Sequence, residues 1–589
     1  MASKLPKHPR QRVNNPRPAA VQAAGGFFDE AFLDSYKPFL WIFLAGFFLY
    51  ARTGFFNFSY LDDQELIINA FNFISHPSNI LNFFREDVFH TASGGAYYRP
   101  VLTISFMTDA LWGGKTPGAY HFTNVLLHAL ASCLLFRTLA KLNYNRAQSF
   151  FFALFFTVHP VLTQAVAWIP GRNDSLLTIF ALLSFISFLS FLEERKRTQL
   201  AAHLLFLLLA LFTKENAVCL CALCLFFLVF IDKKAPATGR GIPLFAGWAA
   251  VVSIWFFARS AVLKTAIANS GFNVAGALAD NSPAVFSYIG KIFFPFNLGT
   301  LPVLKDLPLS YGLVAAGLTG FLLYASRTKR ANYIAFGVLW FLLFLLPSFI
   351  QSTFSIPNFS EHRIYLPLIG FIFLLLEADI PGLLRLSGRA AAALGAGVLL
   401  LLSLLTFSYC GSFRDKISFW KKAVESSPSH AFSYNNLGSM YYLDGVAPGR
   451  TDAERLLDLG NAEKLWKSAI SINPLERRVN CNLGLLYMNR RELNKAQEYF
   501  LKEIAFNPDY DIVHFNSGIL YYQAGYFDKA AVSWEKTLKL NPNYATAYLN
   551  LAYLHYQRKE GVKAKVYIQE MLRRGFAVPP EIVSRILAK

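Results

Sequence analysis

The chain has 589 residues, of which 54% are hydrophobic and only 16% charged, with 58 Phe and a formal net charge of +19. The apolar residues fall in blocks of about 18 to 22, the length a helix needs to cross about 30 Å of hydrocarbon, which excludes an ordinary soluble protein. The basic residues sit in short loops and in the C-terminal part without an aromatic-interleaved basic motif, which excludes a nucleic-acid binder. An all-α protein is expected: a polytopic membrane bundle followed by a soluble helical domain.

Residues 1–36 are basic and Pro/Ala-rich with no apolar core before Pro38, so they read as a disordered cytoplasmic tail and not as a signal peptide. Clusters such as Arg137/Lys141/Arg146, Arg195/Lys196/Arg197, Arg327/Lys329/Arg330 and Arg385/Arg389 mark cytoplasmic turns. They predict about eleven spans, near 38–55, 120–137, 147–165, 175–192, 199–213, 216–231, 243–263, 308–326, 332–350, 364–378 and 390–409. The N-terminus is then inside and the C-terminal domain outside. The segment 286–304 is interrupted by Lys291, Pro295 and Pro302, and is expected to be re-entrant or to lie in the interface. Within the long first external loop, 56–119, "RPVLTISFMTDALWG" has helical spacing and predicts an amphipathic helix on the membrane surface. Cys219, Cys221 and Cys224 lie inside a span and read as packing residues, not metal ligands.

After residue 410 the pattern changes. Asn-Pro recurs at Asn473-Pro474, Asn507-Pro508 and Asn541-Pro542, each 34 residues after the last, the period of tetratricopeptide (TPR) repeats. Gly484, Tyr487, Ala496 and Phe500 fit the pattern in one unit, and Gly518, Tyr521, Ala530 and Trp534 in the next. The first unit carries an insertion near 445–452, and a looser fourth unit starts at Ala545. The expected domains are the tail 1–36, a membrane domain 37–410 and an extracytoplasmic TPR solenoid 411–589 of about four repeats. Such arrays bind peptides and proteins, so chemistry must reside in the membrane part.

Ionisable residues recur at the predicted outer ends of four hairpins: Asp62 and Asp63 in "YLDDQ", Arg99 in "YYRP", His159, Arg172 and Asp174 around the turn after the third span, Lys214 and Glu215 between the fifth and sixth, and Glu361, His362 and Arg363 before the tenth. Charges at membrane depth are costly and point to function. At an interface, caps and snorkelling anchors look the same. Together these groups suit transfer from a lipid-linked phosphate. One Asp would act as general base, with the other shaping the acceptor site. Arg99, Lys214 and Arg363 would hold the leaving phosphate.

The blocks "YLDDQELI", "HPVLTQAVAWIPGRNDSLL", "LFTKENAV" and "EHRIYLPLIGF", followed by TPRs, resemble the transmembrane and TPR-containing protein O-mannosyltransferases and their bacterial relatives, glycosyltransferases of the GT-C fold. The resemblance implies inverting transfer of a sugar, mannose in the animal members, from a polyprenyl- or dolichyl-phosphate carrier to a Ser/Thr hydroxyl of a protein. It implies a base just after the first span, matching Asp62 and Asp63. No cofactor is implied beyond the lipid-linked sugar phosphate as donor, and a divalent metal is permitted but not indicated. Where many relatives read H-P-x-H-T-E, this chain has His159-Pro160-Val161-Leu162-Thr163-Gln164, which weakens a metal site and makes His159 a structural residue. The expected location is a bacterial inner membrane or the endoplasmic reticulum membrane. The expected partners are membrane lipid, the lipid-linked sugar and a protein or peptide acceptor held by the TPRs. Alternative readings are a GT-C enzyme acting on a glycolipid or polysaccharide, a lipid-sugar transporter, and a non-catalytic membrane-anchored TPR scaffold.

Overall fold

The computed structural model describes residues 30–90, 97–232, 241–263, 273–327, 329–350 and 359–587. Most of the expected N-terminal tail lies outside them, as do the basic residues Lys233, Lys234 and Arg240. Every regular element among the described residues is helical. Among the described residues, six helices are long and apolar enough to cross a membrane: Lys37–Phe55, Pro117–Lys141, Ile169–Glu194, Gly241–Val262, Ala331–Phe349 and Gly388–Phe413. A seventh span is made by Arg146–Val158 and Pro160–Ala167 if that pair, bent by 50°, is taken as one. Four shorter apolar helices, Arg197–Thr213, Glu215–Ile231, Leu309–Ala325 and Pro367–Glu377, fall where the remaining spans are expected.

The bundle has two chemically distinct ends. At one, Lys141 pairs with Glu193 at 2.7 Å, and Arg330 pairs with buried Glu377 at 2.5 Å while lying over the rings of Tyr144 and Tyr333. The loops around 56–119, 159–174, 213–216 and 359–366 gather at the other end. There the chain also passes into the repeat array: the Asn57 amide donates to the Arg414 carbonyl at 2.8 Å, and Lys416 lies over the Tyr60 ring.

The segment after residue 284 forms the helix Ala284–Phe293, about 15 Å long and half of what a crossing requires. Its Lys291 is a buried partner of Glu361 at 2.5 Å. The expected helix is present as Pro100–Gly113 and packs against Pro117–Lys141 and Arg197–Thr213. It buries Leu102, Phe106 and Met107, and Asp109, at i+7 from Leu102, is buried on the same face.

Ala284–Phe293 runs against Leu309–Ala325 with glycines at the crossing. A methyl group on Gly312 would overlap the Phe286 carbonyl, and one on Gly290 would come to 2.9 Å of the Gly312 nitrogen. Small residues allow this close backbone approach. Gly312→Leu is therefore expected to cost about 1–3 kcal/mol by overpacking, visible as a lower unfolding temperature in detergent, whereas Gly317→Leu, with open space around it, should leave it unchanged.

Four helix pairs follow the helix Lys416–Ser426: Ala431–Gly445 with Asp452–Ile472, Val479–Asn489 with Leu493–Phe506, Asp511–Gln523 with Phe527–Leu540, and Ala545–Gln557 with Gly561–Arg573. Within a pair, a glycine on the first helix receives a ring from the second. Gly438 meets Trp466, Gly484 meets Phe500 and Gly518 meets Trp534. The indole nitrogens of Trp466 and Trp534 donate to the carbonyls of Asn435 and Phe515, at 3.0 and 3.1 Å. This is why the aromatic and the glycine recur together in the sequence.

Candidate active site

The first span ends in a tight turn, Ala51–Phe55, and the chain then runs extended to Tyr60, whose φ of 57° lies in the left-handed region. That kink starts a new helical turn, which continues as the π-helical stretch Gln64–Asn69, a wide-turn geometry often found at functional sites. Asp62 and Asp63 stand at its start and face different ways. Asp63 is 1% exposed, and its Oδ2 accepts from both the amide and the hydroxyl of Ser59, at 2.6 and 2.7 Å. Asp62 is partly buried and lies in the field of Arg99. Burial pushes its carboxyl up to about 6 against the opposing pull of that guanidinium. Burial also pushes Asp63 up to about 6, opposed by the Ser59 hydrogen bonds.

Arg99 stands at the entry to Pro100–Gly113, with Nε and Nη2 on the Glu215 carboxylate at 3.3 and 2.9 Å, which leaves Nη1. Lys214, in the break between Arg197–Thr213 and Glu215–Ile231, donates to Asp174 Oδ1 at 2.7 Å and to Asn173 Oδ1 at 2.9 Å. Asp174 is reached electrostatically by Lys214, Arg99 and Arg363 together. His362 lies in the same field: burial and then Lys214, Arg363 and Arg99 hold its imidazole well below the ordinary range, so it is neutral. Arg99, Lys214, Arg363, Asp174, Glu215 and His362 thus form one cluster, with Asp62 facing it across Arg99. Three cations against two carboxylates leave it net positive. Among the described residues, three buried polar atoms in or against it have no hydrogen-bond partner: Asp174 Oδ2, His362 Nδ1, and Nε1 of Trp168, whose ring is 5.5 Å from that of His362. Orphaned groups of this kind are uncommon and mark places where something else binds.

Three of the expected site residues are spent on architecture. Arg172 is fully buried and pairs with Asp109 at 2.5 Å, while also donating to Asn124 Oδ1 and to the carbonyls of Ser105 and Tyr120. Glu361 turns away from its neighbours His362 and Arg363. Its carboxylate takes Lys291, the Gly299 amide at 2.9 Å and the Tyr409 hydroxyl at 3.0 Å. His159 has both ring nitrogens on main chain, Nε2 donating to the Ile292 carbonyl at 3.0 Å and Nδ1 accepting from the Val161 amide at 3.2 Å. That fixes the bend between Arg146–Val158 and Pro160–Ala167. Asn173, which heads an Asn-x-Ser sequon, is buried on Lys214 and out of reach for modification; Asn57 is exposed. Asn358, the third, lies outside the described residues.

Sequence reasoning missed Asp109, Asn173, Trp168, Ser59 and the pairing of Lys291. None of these had a local signal. Gln164 also gains a part, accepting from the His362 amide at 2.9 Å and donating to the Thr300 carbonyl at 2.8 Å. Among the described residues no group of three or more His, Cys, Asp or Glu side chains converges as a metal site.

Comparison with known proteins adds the following. A family model described as TPR repeat matches residues 518–558. The chain is 32% identical over 185 residues to the protein O-mannosyl-transferase Tmtc1 of Drosophila melanogaster, covering 30% of this chain and 21% of that protein. It is 25% identical over 450 residues to a protein O-mannosyl-transferase of Caenorhabditis elegans, covering 70% of this chain and 59% of the relative. The chain therefore spans less than two thirds of the length of these relatives. The solved structure of MamA aligns to 27% of this chain and 86% of its own at 21% identity, with a TM-score of 0.23, too low to carry an argument. The curated homologues of this membrane protein are protein O-mannosyl-transferases, and the resemblance to that transmembrane, TPR-containing family stands.

Proposed function

We propose that the chain is an integral-membrane glycosyltransferase that moves a sugar, mannose or one like it, from a polyprenyl-phosphate carrier to a Ser/Thr hydroxyl of a protein, on the face of the membrane that carries the TPR array. The observation that carries this is the convergence of Arg99, Lys214 and Arg363, from three separate segments, beside a partly buried Asp62. A phosphate leaving group needs fixed cations where its charge develops, and an attacking hydroxyl needs a base. Arg99 keeps one guanidinium edge beyond its bond to Glu215, and Lys214 holds its ammonium in place on Asp174 and Asn173. In this reading the acceptor oxygen attacks the anomeric carbon, its proton passes to Asp62, and the bond from that carbon to the phosphate oxygen breaks with inversion. Asp63 fixes the turn that presents Asp62 and is a positioning residue. The relatives' printed names favour protein over glycolipid as acceptor.

The test is transfer by the purified protein in nanodiscs from a panel of polyprenyl-phosphate sugars to denatured protein. Arg99→Gln and Lys214→Gln are expected to raise the KM for the lipid donor and to lower kcat, because the cations act on ground state and transition state alike. The pH profile has a stated sign. Asp62 acts only as carboxylate, so kcat/KM should be flat above about pH 6 and fall about tenfold per unit below it. A profile flat down to pH 4.5 would remove Asp62 as the base.

A further inference from the structure

One connection in the bundle is buried where a loop normally lies on the surface. Between the helices Ala284–Phe293 and Leu309–Ala325, residues 298–302 have no regular structure, yet all five are buried and Thr300 completely so. Coil in such a place leaves main-chain groups that neither a helix nor water can satisfy. Here the partners come from the bundle on one side and from the start of the repeat domain on the other.

The bundle side is the turn Glu361–Ile364, which carries His362 and Arg363. The Glu361 carboxylate accepts from the Gly299 amide at 2.9 Å and from Lys291, whose ammonium also donates to the Asn297 carbonyl. Gln164, 1% exposed, completes the joint. Its Nε2 donates to the Thr300 carbonyl at 2.8 Å and its Oε1 accepts from the His362 amide at 2.9 Å. The other side is the helix Lys416–Ser426, which leads into the repeat array, and the turn after it. The Thr300 hydroxyl donates to the Phe419 carbonyl at 2.8 Å, and the Val303 amide to Ser427 Oγ at 3.0 Å. Asp306 accepts from the amide and hydroxyl of Ser429, at 3.0 and 2.8 Å. Gly299 lies so close to the helix that a methyl group on it would overlap the Ser426 side chain, 2.6 Å from its Cβ. Gly299 is not among the glycines at positive φ, so contact with Ser426, and not backbone conformation, requires a glycine there.

We propose that Gln164 and Thr300 are positioning residues that set His362 and Arg363 in the phosphate-holding cluster only when the helix Lys416–Ser426 is docked on the bundle. The proposal rests on the reading of that cluster as the place where the carrier phosphate is held. The chain of contacts is short: the Phe419 carbonyl, the Thr300 hydroxyl and carbonyl, the Gln164 amide, then the His362 amide. Each link is a directional bond in a site closed to water, where a lost partner leaves a buried orphan. Close packing on both sides gives the loop no room to absorb a shift at the helix, so the shift passes to the turn. Small displacements of a group that holds a reacting phosphate are costly. The repeat domain thereby does more than sit beside the site: its leading helix completes the scaffold on which two residues of the cluster stand.

The test uses the full-length protein in nanodiscs and farnesyl phosphate as a short-chain probe of the phosphate site. Binding is read by titration calorimetry and folding by thermal unfolding. Thr300→Val, which keeps the shape and drops one hydroxyl, should weaken binding about threefold to tenfold with little change in unfolding temperature. Gln164→Leu should weaken it about tenfold or more. The double variant Thr300→Val/Gln164→Leu should bind no more weakly than Gln164→Leu alone, because both cut the same chain of contacts. Gly299→Ala should weaken binding about as much as Thr300→Val, and Gly299→Ala/Ser426→Gly should restore it by making room on the repeat-domain side. Unchanged affinity in Thr300→Val and Gly299→Ala, additive losses in the double variant, or no recovery with Ser426→Gly would overturn the positioning chain while leaving sugar transfer by the wild type untouched. The expected responses in a protein that turns over no donor would uphold the chain and overturn the transferase reading instead. A folded wild type that does not bind farnesyl phosphate would overturn both.

Discussion

Asp62→Asn is expected to lower sugar transfer by about 10²–10⁴-fold, the range for loss of a positioned general base, with little change in donor affinity. The side chain is partly buried and makes no hydrogen bond among the described residues, so folding should be unaffected. Asp63→Asn should behave differently. Its Oδ2 ties down the Ser59 amide and hydroxyl, and an asparagine keeps one oxygen able to accept from them. A loss of about tenfold to a hundredfold is expected, as for other residues that orient a reacting group without touching the substrate. Ser59→Ala should resemble Asp63→Asn, not Asp62→Asn. Equal, complete loss in both aspartate variants would contradict this division of labour.

The second large effect is on folding. Arg172→Met removes the charge that faces Asp109 in a site with essentially no exposure for either group and leaves Asn124 Oδ1 without its donor. Breaking one half of a buried pair costs about 3–5 kcal/mol, mostly because the partner stays charged and unpaired. The variant should be poorly expressed or unfold in mild detergent. The double variant Arg172→Met/Asp109→Leu should recover much of that loss, since an apolar pair of similar volume needs no counter-charge. Were Arg172 a substrate-binding cation instead, the single variant would fold normally and only its kinetics would suffer. Thermal unfolding of purified protein separates the two.

The contrast between Arg172 and Arg99 shows where sequence reasoning ends. The apolar blocks and the 34-residue period are written locally, because a span needs its own apolar stretch and a repeat must carry the residues that pack on its neighbour. The positions of the ionisable groups at one end of the bundle were equally legible from the spacing of the basic turns. Their partners were not. Arg99 finds Glu215, Lys214 finds Asp174 and Lys291 finds Glu361 across separations of 116, 40 and 70 residues, and nothing local decides which cation is neutralised in the core and which is left near the site. The same holds for Glu361 and Arg363. Two residues apart on a tight turn, they face different neighbours: Lys291 and Tyr409 for one, the Asp174 cluster for the other. The pair Asp62-Asp63 is no exception: adjacent in the sequence, the two carboxylates look equivalent there, and only the fold sets Asp63 on Ser59.

Wild type, Asp62→Asn and Asp63→Asn would be reconstituted in nanodiscs with each of several polyprenyl-phosphate sugars and a denatured-protein acceptor. Release of polyprenyl phosphate and sugar on protein would be followed together in a single turnover. The expected result is one donor consumed by the wild type with equal amounts of phosphate released and sugar transferred, collapse in Asp62→Asn and a partial rate in Asp63→Asn. Turnover that ignores Asp62, or no turnover of any donor by a well-folded wild type, would contradict it and favour a membrane-anchored TPR scaffold.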